Sequence, residues 1–234
     1  MPLIFLPRIV TDGLVLAIDA ANTKSYPGSG TAWYDISRNN NNGSLINGST
    51  FSSENLGTVA FNGVDQYYNL DKNLDSYTSI TANIWLKKPF IASSNFGVYF
   101  AYAANEGDLS LGWGIRNPNG IYPTENDARY QYWAGGGTNL LLYVNGTLIS
   151  ADTSTLDYKI SVTNVNLFNT WQYLTLIAEG MSFNTQKILR IAQRTETGNS
   201  LTNCTVGSFT VYNRVLSSSE ILQNYNATRT RFGL

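Results

Sequence analysis

The 234-residue chain contains no histidine, and its one cysteine is Cys204. Without histidine, Ser-His-Asp and Cys-His catalysis and histidine metal sites are excluded. A lone cysteine cannot build an internal disulfide framework, and it argues against a zinc cluster. Charge is scarce as well. Only 13% of residues are charged, the net charge is −1, and no basic run occurs, so neither nucleic acid nor an anionic membrane has an electrostatic footprint here. The apolar run at residues 14–18 is too short to span a bilayer, so no membrane insertion is expected. The opening MPLIFLPRIV lacks a basic leading segment, is interrupted by Pro2 and Pro7, and reaches Arg8 and Asp12 too soon for a secretion signal.

What is abundant points to β-structure. The chain has 27 Asn and 20 Gly, and 13% of it is aromatic, which suits a turn-rich β-protein with a polar, weakly charged surface. One all-β domain is expected at this length, burying roughly 70–75% of its unfolded surface without staples. Residues 79–87 alternate, with Ile80, Ala82, Ile84 and Leu86 on one face and Thr81, Asn83 and Trp85 on the other. Further strands are expected at residues 14–20, 97–103, 109–115, 129–134, 140–144, 147–150, 171–178, 187–194 and 202–212. The strand at 171–178 reads as buried on both faces. Asn145-Gly146 is the strongest hairpin signal, and Cys204 reads as a small buried hydrophobe in a strand.

The C-terminal stretch predicts a strand, a turn and the one convincing helix. Ser217 and Glu220 form a capping box, and Leu216 and Ile221 a hydrophobic staple. Ile221, Leu222 and Tyr225 make an apolar face, while Arg229 and Arg231 suit the helix's negative end. The unit reads as a lid laid over the end of the β-structure. At the other terminus, residues 1–11 are expected to form an extended arm ahead of a domain spanning 12–234. Leu3, Ile4, Phe5 and Leu6 would be costly to leave in water. They pair with an edge strand, pack on another subunit, or bury on their own domain.

The closing stretch of residues 207–234 resembles that of laminin-G-like, concanavalin A-like jelly-roll domains, of the sort frequent in bacteriophage virion proteins. The opening block resembles the same family, in which a strand with a central Asp leads to Trp-x-Asp-x-Ser and an Asn/Gly-rich loop; the matching residues are Asp19, Trp33, Asp35 and Ser37. The run from Phe61 through Gly63 to Asp65 resembles the family's Phe-x-Gly-x-Asp strand end. One departure is that Tyr143-Val144-Asn145-Gly146 precedes the Trp171 strand, whereas the family places such a hairpin after it. The resemblance implies a two-sheet antiparallel jelly-roll sandwich, concanavalin A-like, with one short C-terminal α-helix.

Several glucanases of this fold carry Glu-x-Asp-x-x-Glu on a strand, where closely set carboxylates act as acid and nucleophile. Only Glu106-Gly107-Asp108 approaches that pattern, in an apparent turn and with Leu111 at the third position, so no catalytic residues are assigned and a protein without enzymatic activity is expected. The resemblance also implies that a structural calcium could sit among Asp12, Asp19, Asp35 and Asp65, although none stands in a ligand-dense pattern. The plainer reading is that Asp19 and Asp35 bond loop backbones, as Asp often does, and no cofactor is assigned.

The surviving functional lead is aromatic. Sugars stack their apolar faces on Trp or Tyr while amides and Arg satisfy their hydroxyls. Trp113, Arg116, Tyr130, Tyr132, Trp133 and Asn139 are the carbohydrate candidates, with Tyr122 and the Gly135–Gly137 run nearby in sequence. Tyr130 and Tyr132 share one strand face and Trp133 the other, so only half of this set can be a site; packing or subunit contact is the alternative. Family resemblance implies a structural protein of a phage particle, decorating a capsid or forming a head or tail appendage. It would be made in the host cytoplasm and displayed on the virion, touching other virion proteins and further copies of itself. The alternative is a carbohydrate-binding adhesin that recognises host-surface glycans. No nucleic-acid partner is expected.

Overall fold

The computed structural model describes residues 7–72, 74, 77–89, 96–103, 111–116, 129–133, 139–152, 159–162, 168–180, 188–193 and 201–234. In chain order the strands begin β1 Leu14–Asp19, β2 Ala32–Trp33, β3 Gly43–Ile46, β4 Thr50–Ser52, β5 Thr58–Asn62, β6 Tyr67–Leu70, β7 Ile80–Lys87 and β8 Phe96–Ala103. They continue β9 Leu111–Arg116, β10 Arg129–Trp133, β11 Asn139–Val144, β12 Thr147–Asp152, β13 Lys159–Val162, β14 Trp171–Glu179, β15 Ile188–Ile191 and β16 Asn203–Tyr212. One helix follows, α1 Ser218–Thr228, and then a 3-10 turn, Arg229–Phe232.

These strands form two eight-stranded sheets. The first runs β12-β11-β14-β7-β16-β5-β4, with β1 also on β16; the second runs β13-β10-β9-β8-β15-β6-β3-β2. Every strand pair in both is antiparallel. This is the jelly-roll sandwich expected from the sequence, with its short C-terminal helix.

The main core lies between the sheets and takes alternate residues from each. Ile80, Ala82, Ile84 and Leu86 of β7 and Leu174, Leu176 and Ala178 of β14 meet Phe100, Tyr102 and Ile191 from the second sheet. The opposite faces of β7 and β14 are buried too, which is why both strands are enclosed along nearly their whole length. Polar side chains on that second face satisfy one another across the ladder. Thr175 Oγ1 donates to Asn83 Oδ1 at 2.7 Å, and Asn83 Nδ2 donates to Thr210 Oγ1 at 3.1 Å. The pairing register sets Thr175, Asn83 and Thr210 side by side.

What covers that second face is α1. The expectation of a lid over the end of the β-structure is corrected: the helix lies across the broad outer face of the first sheet. Val10, Leu216 and Ile221 pack there with Tyr143, Ile177 and Tyr212. Beside them Trp85 stacks on Phe232 at 4.2 Å between ring centroids and donates Nε1–H to Thr228 Oγ1 at 2.7 Å. The capping box is present, with Glu220 N donating to Ser217 Oγ and Ser217 N to Glu220 Oε2. The apolar helix face differs from expectation. Leu222 is 46% exposed, and the buried partner of Ile221 is the polar Asn224. Arg229 and Arg231 fall in the 3-10 turn beyond the helix and serve other partners.

Two turns show local sequence in control. Asn145 (φ 50°) and Gly146 (φ 80°) both adopt left-handed conformations, the primed turn that matches strand twist, and join β11 to β12. The hairpin that departs from the family order thus extends the first sheet on the far side of β14. At Gly207 the register of β16 on β7 shifts, and a Cβ there would come within 2.5 Å of the Phe232 ring. The closing aromatic therefore leaves room only for glycine at this position of the bulge.

Candidate functional site

The motif residues Asp19, Asp35 and Ser37 sit around β1, whose far edge has no neighbouring strand among the described residues. Asp35 Oδ1 accepts from the N–H groups of Ala17 and Ser37, and Oδ2 from Asn41 N and Ser37 Oγ, all within 2.8–3.0 Å. Ser37 Oγ and Asn41 Nδ2 donate to the carbonyl of Val15, and Asn39 Nδ2 to that of Leu14. Alternate side chains of the loop thus complete the hydrogen bonding of an edge strand and blunt it against strand addition. Trp33, fully buried, packs edge-on against Tyr68 at 5.7 Å. The motif builds the framework.

The four acids considered for calcium are committed to donors. Asp19 Oδ1 accepts from Ala21 N and, at 2.6 Å, from Arg231. Asp12 pairs with Arg214 Nε at 3.0 Å, and Asp65 accepts from Asn62 Nδ2 at 2.8 Å. A calcium ion needs several oxygens converging on one point, and a cation at Asp35 would have to displace four donors. These carboxylates do not fit a calcium site as arranged, and no group of three or more metal-ligating side chains occurs among the described residues.

The aromatic candidates are sorted by register across the second sheet. Tyr132 stands opposite Trp113, Trp113 opposite Phe100, Phe100 opposite Ile191, Ile191 opposite Tyr68, and Tyr68 opposite Leu45. Phe100, Ile191, Tyr68 and Leu45 all belong to the main core. Tyr130, two residues from Tyr132 on β10 and opposite Ile115, has the same parity. The adjacent row reads Trp133, Gly112, Ala101, Arg190, Asn69 and Ser44. Arg116 shares the parity of Gly112 along β9 and pairs with Phe96. Asn139 lies on the other sheet, opposite Glu179, and donates Nδ2–H to its Oε2 at 3.3 Å.

In register, that row places Trp133 and Arg190 on either side of two small residues, Gly112 and Ala101. Arg190 was missed by the sequence reading, although its signal was present: an arginine between Leu189 and Ile191 on a strand must face away from them. It is only 1% exposed and Ala101 is fully buried, so the middle of this face is enclosed, while Asn69 and Ser44 are part-exposed. Tyr122, the Gly135–Gly137 run, the Glu106-Gly107-Asp108 turn and the arm residues Leu3, Ile4, Phe5 and Leu6 lie outside the described residues.

No family model matches the sequence, and no curated protein does. Solved structures do match in fold. Trypanosoma rangeli sialidase superposes with a TM-score of 0.54 at 14% identity, over 94% of this chain and 33% of that one. The receptor binding domain of botulinum neurotoxin C/D mosaic serotype gives 0.59 at 12% identity, over 92% and 51%. The binding domain of botulinum neurotoxin DC, in complex with rat synaptotagmin II, gives 0.53 at 12%, over 94% and 52%. The chain therefore spans a third to a half of the length of these structures. They correct the expectation of a protein without enzymatic activity, because chains titled as sialidases and as binding domains share this sandwich, and the fold excludes neither class. The lack of histidine does not exclude catalysis either, since glycoside cleavage runs on carboxylates and in some enzymes on a tyrosine. Among the described residues no helix is long and apolar enough to cross a membrane. What the chain shares with these proteins is the lectin-like jelly-roll sandwich.

Proposed function

We propose that this chain is a glycan-binding module of a bacteriophage particle, holding a host-surface sugar on the second sheet at β9 and β10. The observation that carries the binding reading is the register of β9 and β10, which pairs Trp133 with Gly112 and leaves Arg116 at the same parity of β9 as Gly112. It sets an aromatic position and a cationic one on one parity of this ladder. An aromatic ring offers a stacking face for a sugar, and a guanidinium offers a fork of donors to its hydroxyls or carboxylate. The names of the toxin binding domains that share the fold agree with a module that presents surface to a receptor. Placement on a phage particle rests on the resemblance of the Asp19–Trp33–Asp35–Ser37 block and of residues 207–234 to laminin-G-like jelly-roll domains, a sort frequent in phage virion proteins.

Register makes the test sharp. Trp133→Ala and Arg116→Ala should abolish or strongly weaken binding on a glycan array while leaving the melting temperature near its original value. Tyr132→Ala, at the other parity of β10, should leave glycan binding near its original strength. An array on which the intact protein binds nothing, or on which Trp133→Ala binds as well as the original, defeats the glycan reading.

A second reading, a structural subunit that decorates a capsid or forms a head or tail appendage, is favoured by the apolar run Leu3-Ile4-Phe5-Leu6. It predicts stoichiometric copies on purified particles, seen as repeated density at fixed positions. Particles that carry none would refute it.

A further inference from the structure

We propose that the cavity beside β1 is a binding site for a small organic carboxylate, whose charged end pairs with Arg38 and whose apolar body covers Ile36. The cavity has a volume of about 510 Å³, within the range of pockets that enclose organic ligands, about 300–1,000 Å³. Its lining is of two kinds. Ile9, Leu14 and Ile36 are apolar, while Thr11, Ser37 and Arg38 are polar. β1 belongs to the first sheet, so this site is separate from the one on β9 and β10.

The lining holds one cation and no carboxylate. The acids closest to it along the chain are already engaged. Asp35 accepts four donors within 2.8–3.0 Å, and Asp12 pairs with Arg214 Nε at 3.0 Å. Ser37 Oγ is engaged as well, donating to the carbonyl of Val15 and accepting from Asn39 Nδ2. Among the described residues, by contrast, the side chains of Arg38 and Thr11 make no hydrogen bond or ion pair. A guanidinium is permanently charged, and its planar fork of donors matches the two oxygens of a carboxylate. The Thr11 hydroxyl is a further donor at the same cavity.

The backbone gives an independent reason to single out Arg38. Its φ is 79°, in the left-handed region that glycine enters freely and longer side chains enter under strain. The loop imposes that conformation, because Ser37 N is fastened to Asp35 Oδ1 and Asn39 Nδ2 to the carbonyl of Leu14 on either side of it. Glycine would serve the loop better. What arginine adds is a positive charge held at the cavity, and strained residues of this sort gather where ligands are clamped.

The apolar half of the lining selects the rest of the ligand. Ile36 is 37% exposed, so an alkyl body lying on it removes apolar surface from water. A bare inorganic anion would leave that surface wet, and an uncharged alkyl compound would leave Arg38 without a partner. Only a molecule with both parts uses both halves.

The test titrates the intact chain with hexanoate, 1-hexanol and acetate and follows its backbone amide resonances. Hexanoate should shift the amides of Ile9, Thr11, Ile36 and Arg38 together, along one saturating curve. Hexanol and acetate should each bind about tenfold more weakly or worse, as should hexanoate on Arg38→Gln. Arg38→Gly should lose binding to the same degree yet melt no lower than the original chain, because it relieves the left-handed strain. That variant separates lost binding from lost folding. The proposal is overturned if hexanoate leaves these amides unmoved, if hexanol or acetate binds as tightly as hexanoate, or if Arg38→Gly keeps the original affinity.

Discussion

Asn224 on α1 donates its side-chain N–H to the hydroxyl of Tyr212 on β16 at 3.1 Å and accepts the backbone N–H of Val10 at 2.8 Å. Tyr212 in turn donates to the carbonyl of Val10 at 2.9 Å. All three residues are buried. One amide thus joins the helix, the last strand and the segment entering the first strand, and it carries the polar connection beneath an otherwise apolar layer. Burial pushes the Tyr212 phenol up to about 12, against the smaller opposing effect of the Asn224 hydrogen bond. The hydroxyl therefore stays a neutral donor across the ordinary pH range.

Asn224→Ala should lower stability by about 2–4 kcal/mol, because it leaves a buried N–H and a buried hydroxyl short of partners. Tyr212→Phe, which removes one hydroxyl and keeps the ring, should cost less. Urea denaturation of the two variants checks the order. If Asn224→Ala proved neutral, the polar junction would not be what fastens the helix.

Asp35→Asn should be more damaging than an exposed Asp→Asn change. The carboxylate accepts four donors, and an amide at that position would turn its own N–H₂ toward some of them. The expected loss is about 2–3 kcal/mol. Hydrogen exchange should then rise first at Ala17 and Asn41, whose amides lose their acceptor.

Acid should loosen the helix start before the sandwich. The Arg214 guanidinium, followed by the Ser217 backbone N–H, holds the Glu220 carboxyl down at about 2, below its ordinary 4.5. A carboxylate depressed in the folded state contributes stability that is complete above its ordinary value and lost as pH falls from about 4.5 toward 2. The Arg214–Glu220 pair is part-exposed, so the effect is small and screened by salt. Glu220→Gln should remove that acid dependence, which a comparison of melting temperatures between pH 6 and pH 3 would reveal.

Cys204 should be inert to thiol reagents while the protein is folded. It is 1% exposed, and burial raises its thiol to about 12, with the Lys88 ammonium opposing only in part. Labelling should therefore track unfolding and speed up at the denaturation midpoint. Rapid labelling under native conditions would contradict the buried placement.

Much of this was legible in the residues themselves. The alternation of β7, the burial of β14 on both faces, the Asn145-Gly146 turn, the capping box and the buried Cys204 follow from propensities and periods that act within a few residues. The framework role of Asp35 was legible too, because a carboxylate followed two residues later by Ser favours local backbone bonding. A period of two, however, yields two faces without saying which is inward. Tyr132 and Trp133 were equivalent until pairing with Trp113 and Gly112 set one in the row of Phe100 and the other in the row of Arg190. The partners of Asn224 and Arg231 were beyond reach for a related reason. Asn224 meets Val10 across 214 residues and Arg231 meets Asp19 across 212, distances over which no local pattern carries information. Local sequence therefore determined where strands, turns and the helix form, while the packing of one sheet on another decided which side chains are core and which are clasp.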